Sequence, residues 1–142
     1  LIFGDRYEGR GRMAKEVLMA AKPYVDVLSF QYFGTPENIR KDLSYWSEEI
    51  GMPTLLADSA KHVRASEDSP VRTHDTEVYA EIMDVATDMG HCVGFHLCGA
   101  YTRNRIRYTG LLDENEKPDR AVVDAITARN EEALRWIESH NR

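Results

Sequence analysis

Polar side chains able to do chemistry follow each of four short apolar segments in this 142-residue chain. A carboxylate can act as a nucleophile, acid or base, and a phenol or imidazole can hold or move a proton. Arginine and glutamine side chains can bind oxygen-rich ligands. The candidates, in chain order, are Asp5 and Arg6 after the first segment, Gln31 and Tyr32 after the second, Asp58 after the third, and His96 and Tyr101 on or after the fourth.

Five of the seven candidates also have a purely structural explanation. Asp5 and Arg6 can form a local ion pair, and Tyr32 can be a half-buried aromatic with a hydrated hydroxyl. Asp58 can cap backbone NH groups where a strand ends, and His96 can be a hydrogen-bonded core histidine. The functional interpretation therefore depends on whether these residues lie together.

The apolar segments alternate with longer segments of helical period, which predicts βαβ units and a parallel sheet covered by helices. Parallel strands joined in this way use right-handed crossovers. An eight-unit barrel needs about 250 residues, so four units predict an α/β fold that is the C-terminal half of a (β/α)8 TIM barrel, as a single domain over residues 1–142. The alternative is a small open sheet with helices on both faces. The predicted strands are Leu1–Phe3, Val25–Phe30, Pro53–Ala57 and Cys92–Leu97.

Four helices are predicted from start signals, apolar spacing and stop signals. The clearest has Thr35 as N-cap, Pro36 at the first position and Gly51 as its stop. A long polar loop is expected over Lys61–Arg72. The apolar stripes are Met13, Val17 and Ala20 or Ala21 in the first helix; Ile39, Leu43, Trp46 and Ile50 in the second; Val78, Ile82, Ala86 and Met89 in the third; and Val122, Ile126, Ala133 and Ile137 in the last, over Asp119–Ser139.

Composition narrows the classes of ligand and partner. A net charge of -6 disfavours nucleic acid and anionic lipid, since both attract basic surfaces. No apolar run approaches the roughly 20 residues that span a bilayer. The cysteines, Cys92 and Cys98, lack the spacings of zinc or redox motifs and are interpreted as small core residues. We therefore expect no cofactor, no metal, no nucleic acid and no membrane partner.

Four segments of the chain resemble the last strands of clan A glycoside hydrolases, and the nearest likeness is to β-agarases. The segments are Val25–Tyr32, Met52–Asp58, Val93–Tyr101 and Gly110–Asp113. The resemblance covers nearly the whole chain through short motifs. It implies a domain that acts on a β-linked galactan-type polysaccharide, in an extracellular or periplasmic setting.

The resemblance also implies a role for each matched position. Asp58 stands where these enzymes place a nucleophilic carboxylate at the end of the seventh strand, and Tyr32 stands where a tyrosine hydrogen-bonds that carboxylate. These two are the predicted catalytic residues. The predicted substrate-binding residues are Asp5, Arg6, Gln31, His96 and Tyr101.

Three departures from the family pattern affect the chemistry. Asp58 replaces the usual glutamate, which moves the carboxylate by about 1.5 Å, one carbon-carbon bond. Leu97 stands where a sugar-stacking tryptophan is usual. The family's acid/base carboxylate belongs to a strand that would precede Leu1, and glycoside hydrolysis needs two carboxyl groups. We therefore expect catalysis only if an N-terminal half or a homodimer completes the barrel.

Two other functions remain open from the sequence. One is a noncatalytic carbohydrate-binding or assembly half-barrel that keeps the ligand-binding end of the barrel but has lost the catalytic activity. The other is a metal-dependent barrel hydrolase in which Asp5, Asp58 and His96 bind a divalent ion, since carboxylates and imidazole are suitable ligands.

Overall fold

The computed structural model describes residues 6–8, 14–68, 70–99, 109–113 and 115–140. The predicted strand Leu1–Phe3 and the candidates Asp5 and Tyr101 lie outside these residues. The described elements, in chain order, are β1 (Arg6–Glu8), α1 (Lys15–Ala21), a 3-10 turn (Lys22–Tyr24), β2 (Leu28–Gln31), α2 (Pro36–Ile50), β3 (Thr54–Ser59), β4 (His62–Arg64), β5 (Arg72–His74), α3 (Thr76–Asp88), β6 (Cys92–Leu97) and α4 (Arg120–His140).

The chain divides into two compact units. The first contains the residues up to Ser59 together with Asp84–Leu97, and its strands form a sheet in the order β1-β2-β3-β6. Every neighbouring pair in this sheet is parallel. The predicted parallel sheet built from alternating strands and helices is therefore confirmed.

Helix α2 forms where the sequence predicts it. The Thr35 hydroxyl accepts a hydrogen bond from the Asn38 backbone NH at 3.3 Å, and Pro36 begins the helix. Gly51 ends it with a φ of 70°, a left-handed conformation that glycine adopts without a steric penalty. All the residues of the predicted stripe are buried: Ile39, Leu43, Trp46 and Ile50.

One face of the sheet is turned towards α2. The Thr54 hydroxyl in β3 lies 3.0 Å from His91 Nδ1, and Nε2 of the same ring lies 3.1 Å from the Ser44 hydroxyl in α2. Burial lowers the pKa of His91, because an imidazolium loses its hydration there. Thr54 pairs in register with Leu28, so the side chains of both residues project towards the helix.

The second unit contains Ala60–Met83 and the described residues from Cys98 onward. The region predicted as a polar loop forms an antiparallel hairpin of β4 and β5. The Thr73 hydroxyl in this hairpin donates to Asp119 at 3.0 Å, and the Tyr79 hydroxyl of α3 donates to Asn130 of α4 at 2.5 Å. These bonds attach the hairpin and α3 to the final segment of the chain.

Two predicted helix stripes need correction. In α1, Leu18 is fully buried and Val17 is 49% exposed, so the predicted stripe was displaced by one residue. In α4, Val122, Ile126 and Ala133 are buried as predicted, but Ile137 is 43% exposed. No helix among the described residues is long and apolar enough to cross a bilayer.

Candidate functional site

An extra residue in β3 determines the direction of the Asp58 side chain. Phe30 pairs with Leu56, but the next residue, Gln31, pairs with Asp58. Ala57 therefore has no pairing partner in β2. Such a bulge shifts the alternation of side chains and re-aims the residue that follows it. Asp58 therefore projects from the same face as Gln31, and the fully buried Leu56 projects from the other.

The register with β6 leads to the same assignment. Ser59 pairs with Leu97, and Leu56 pairs with Phe95. Ser59 is only 1% exposed, and Asp58 precedes it on the opposite face of the strand. His96 lies between Phe95 and Leu97 in β6, so its side chain projects from the Asp58 face and is exposed to solvent.

Three predicted site residues therefore share one face on adjacent strands. Gln31 in β2, Asp58 in β3 and His96 in β6 project from the side of the sheet opposite α2, and neighbouring strands lie about 4.8 Å apart. Gln31 and Asp58 are half-buried. The arrangement places one carboxylate between an amide and an imidazole, which suits proton transfer next to a hydroxyl-rich ligand.

Tyr32 lies beside this group through its backbone, but its hydroxyl has a different partner. The Tyr32 NH donates to the Asp58 carbonyl oxygen at 2.9 Å, which continues the pairing of β2 with β3. The ring is 4% exposed, and its hydroxyl donates to the Asp42 carboxylate of α2 at 2.7 Å. The expected donation to the Asp58 carboxylate is therefore not formed, since alternation turns Tyr32 towards the helix.

Arg6 was expected in a turn after the first strand. It is instead the first residue of β1. Its backbone pairs with Ser29 of β2. Its predicted role in substrate binding, with those of Asp5 and Tyr101, stays a prediction, because the described residues do not include these three side chains.

Ser29 is a residue of this face that sequence reasoning missed. It lies two positions before Gln31 in β2, is fully buried, and its hydroxyl has no hydrogen-bond partner among the residues described. A buried hydroxyl without a partner costs about 1–3 kcal/mol. The sequence signal was a serine inside an apolar strand, next to the predicted Gln31.

The part of the chain that the structure describes holds no group of three or more His, Cys, Asp or Glu side chains able to bind a metal. The metal alternative considers three ligands. Two of them, Asp58 and His96, are among the described residues, and the third, Asp5, lies outside them. The described side chains therefore give the metal alternative no support.

A second histidine group lies in the β4-β5 hairpin. His62 and His74 pair in register, with ring centroids 4.6 Å apart. His74 is buried and donates from Nε2 to the Gly99 carbonyl oxygen at 3.2 Å. Burial, followed by the neighbouring His74 and Arg72, lowers the pKa of His62 to about 4. The hairpin is therefore built around a neutral His62 ring.

Acidification is expected to destabilise the protein through His62. An unfolded histidine, with a pKa near 6.5, binds a proton that folded His62 does not bind until pH about 4, so stability is lost as pH falls across this interval. Urea unfolding at pH 7 and pH 4.5 measures the loss, and His62→Gln should reduce it. Val63→Thr, on the opposite face of the same strand, should keep the wild-type difference, and an unchanged difference in His62→Gln would contradict the assignment.

The solved structures that are similar to this chain in fold include the following two. An exo-β-agarase matches with a TM-score of 0.71 at 21% identity, over 94% of this chain and 20% of the agarase. A protein described as BpGH50 matches with a TM-score of 0.70 at 16% identity, over 99% of this chain and 33% of that protein. No family model matches the chain, and no curated protein matches it.

These likenesses define the fold class. The chain shares the fold of a part of these two proteins, with a parallel sheet and helices, and it spans between a fifth and a third of their length. At such low identity the likeness concerns the fold alone, so function has to be argued from the site.

Proposed function

We propose that this chain is a glycoside hydrolase-like domain acting on a β-linked galactan-type polysaccharide, with Asp58 as a catalytic carboxylate. The observation that carries the proposal is the bulge at Ala57, which turns Asp58 to the face shared by Gln31 and His96. Bulges are over-represented next to active sites, where they re-aim a side chain. Without it, Asp58 would project into the layer that contains Leu56 and α2.

The proposed roles follow from the chemistry of each side chain. Asp58 acts as the nucleophile in a retaining mechanism, or as the base that activates water in an inverting one. Gln31 and His96 hold sugar hydroxyls on either side of it, because an amide and an imidazole can both donate and accept hydrogen bonds. A shorter aspartate favours the inverting geometry, whose carboxyl groups stand about 6.5–9.5 Å apart rather than about 5–5.5 Å.

A substrate panel tests the proposal. The protein is incubated with agarose-type galactan, another β-linked galactan, and cellulose as a β-linked glucan control, and new reducing ends are measured. Galactan cleavage without cellulose cleavage is the expected result. The anomeric form of the first product, followed by NMR, separates inversion from retention. Failure to cleave any galactan while the protein is folded and its barrel is completed, by a second copy or by the N-terminal half, would contradict the hydrolase proposal.

A noncatalytic carbohydrate-binding module is the second candidate. Two observations favour it: an aspartate stands at the proposed catalytic position, and the Tyr32 hydroxyl donates to Asp42 rather than to the Asp58 carboxylate. Affinity electrophoresis in a galactan gel separates the two candidates. Retarded migration without new reducing ends would support the binding module, and retarded migration with new reducing ends would support the hydrolase.

We also propose that the sheet is half of a TIM barrel that is completed by further strands, either from a longer protein or from a second copy. The support is the match of this chain to a part of two larger proteins, together with the second carboxyl group that hydrolysis needs. Light scattering on the 142-residue chain tests this. We expect a dimer or aggregation, whereas a well-behaved 16.2 kDa monomer would contradict the half-barrel.

A further inference from the structure

One face of the β4-β5 hairpin carries four nitrogen-rich side chains. His62 pairs with His74 and Arg64 pairs with Arg72, and residues two apart in a strand project from the same face. Backbone hydrogen bonds join Asp75 NH to the Lys61 carbonyl and Ala65 NH to the Val71 carbonyl. Both cross-strand pairs therefore occupy non-hydrogen-bonded positions, where paired Cα atoms are only about 4.5 Å apart.

The two arginine side chains therefore leave the hairpin from directly opposite positions. Like charges directly opposite each other in an antiparallel pair are destabilising. Among the described residues, neither Arg64 nor Arg72 forms an ion pair with a carboxylate, and Arg64 donates instead to the backbone carbonyl of Glu67 at 3.1 Å. Both arginines are exposed. The hairpin thus presents two positive charges that an external anion can neutralise.

The same arginines line a cleft of about 330 Å³ with Glu67, Asp68 and Pro70. This volume falls at the lower end of the range for small-ligand pockets. Guanidinium groups bind planar or tetrahedral oxyanions through paired hydrogen bonds. The carboxylates of Glu67 and Asp68 would repel a bare anion but can accept hydrogen bonds from hydroxyl groups. The cleft therefore suits a ligand that carries an oxyanion and hydroxyls together.

The backbone that carries the arginines is fixed on both faces of the hairpin. On the arginine face, His74 donates to the Gly99 carbonyl oxygen, and on the opposite face Thr73 donates to Asp119. Arg72 itself forms a parallel backbone bridge with Thr109. A fixed backbone reduces the entropy lost when a ligand binds, which favours a binding site over a mobile surface loop.

We propose that this cleft is a subsite for an anionic sugar. Arg64 and Arg72 bind the sulfate ester or carboxylate, and Glu67 and Asp68 accept hydrogen bonds from the ring hydroxyls. The inference rests on the proposed carbohydrate function and deepens it, because it identifies the substrate as a polysaccharide that carries charged groups. The two acidic side chains and the overall charge of -6 disfavour nucleic acid as the ligand.

Calorimetry with three oligosaccharides tests the subsite. A sulfated galactan oligosaccharide, a uronate-containing one and a neutral one of equal length are titrated into the full chain carrying Asp58→Ala, which prevents turnover. We expect at least one charged sugar to bind about tenfold or more tightly than the neutral sugar, a preference that weakens at high salt. The relative affinities of the sulfated and uronate sugars identify the anion.

The double variant Arg64→Gln/Arg72→Gln should abolish that preference and leave binding of the neutral sugar unchanged. Arg64→Lys/Arg72→Lys, which keeps the charge but loses the paired geometry, should retain part of it. Arg135→Gln, which removes a guanidinium from α4 in the same unit, is the matched control and should keep the full preference. Circular dichroism and thermal unfolding check that each variant is folded.

Equal binding of charged and neutral sugars would overturn the inference, as would a preference that survives in the glutamine variant. Inorganic sulfate binding as tightly as the sulfated sugar would also overturn it, because the hydroxyl contacts would then contribute nothing. The proposed hydrolase function can be contradicted independently of this subsite. A protein that cleaves no galactan but binds charged sugars through the two arginines would keep this subsite and lose the hydrolase assignment.

Discussion

Replacing Asp58 with asparagine is expected to lower kcat on the galactan by about 10²–10⁴-fold, the contribution typical of a positioned acid or base. Asparagine keeps the size of the side chain and its place between Gln31 and His96, but it cannot take a proton or attack a sugar carbon. KM should change much less, because the neighbouring side chains still hold the sugar. Initial rates measured over a range of galactan concentrations separate the two constants.

Two further variants test whether the loss of rate comes from removing the Asp58 carboxylate. Asp58→Glu keeps a carboxylate but moves it by about 1.5 Å, so it should retain more activity than the asparagine variant. Asp124→Asn removes a carboxylate from an exposed position on α4 and should leave the rate unchanged. If Asp58→Asn stays within about twofold of the wild-type rate, Asp58 is not a catalytic residue.

The parts of the fold that the sequence predicted well are those with independent local signals. In α2, a capping threonine, a proline at the first helical position, an apolar stripe and a terminal glycine all agree, and the helix begins and ends where they predict. The strand Cys92–Leu97 was also correct, because its apolar run is preceded by Gly90, a strong stop signal for α3. Local chemistry was sufficient for both elements.

The direction of Asp58 could not be obtained in this way. A strand alternates its side chains with a period of two, and a bulge adds one residue that leaves no mark in that pattern. Simple alternation places Asp58 on the same face as Leu56, and the change is revealed only by strand pairing, that of Gln31 with Asp58 and that of Ser59 with Leu97. The site therefore depends on register, which is a property of two strands together.

The β4-β5 hairpin was mistaken for a loop for a related reason. One face of the hairpin carries histidine and arginine, and the other carries Val63 and Thr73, so the segment lacks the apolar alternation from which strands are predicted. Cross-strand pairing and the bond from His74 to Gly99 support it instead. Polar strands of this kind are recognised only when their partners are known.

Gly34→Ala is expected to destabilise the protein by about 2–4 kcal/mol, the combined cost of overpacking and of a lost hydrogen bond. A Cβ at this position would lie 2.8 Å from Cδ1 and 2.9 Å from Cζ of the Tyr32 ring, and closer still to Cε1. The ring is buried and its hydroxyl is bonded to Asp42, so it cannot move aside without losing both. Urea unfolding measures the free energy, and activity should fall as well, because Tyr32 adjoins Asp58.

A glycine elsewhere in the same unit provides the matched control for Gly34→Ala. A Cβ added at Gly90 meets nothing within 4 Å, so Gly90→Ala should be neutral or stabilising by up to about 1 kcal/mol, because alanine restricts the unfolded chain. The mechanism is tested by repeating Gly34→Ala in a Tyr32→Ala background, where the ring that obstructs the new methyl group is gone. Most of the cost should then disappear. If it persists in full, the clash with Tyr32 is not its cause, and Gly34 acts through the backbone instead.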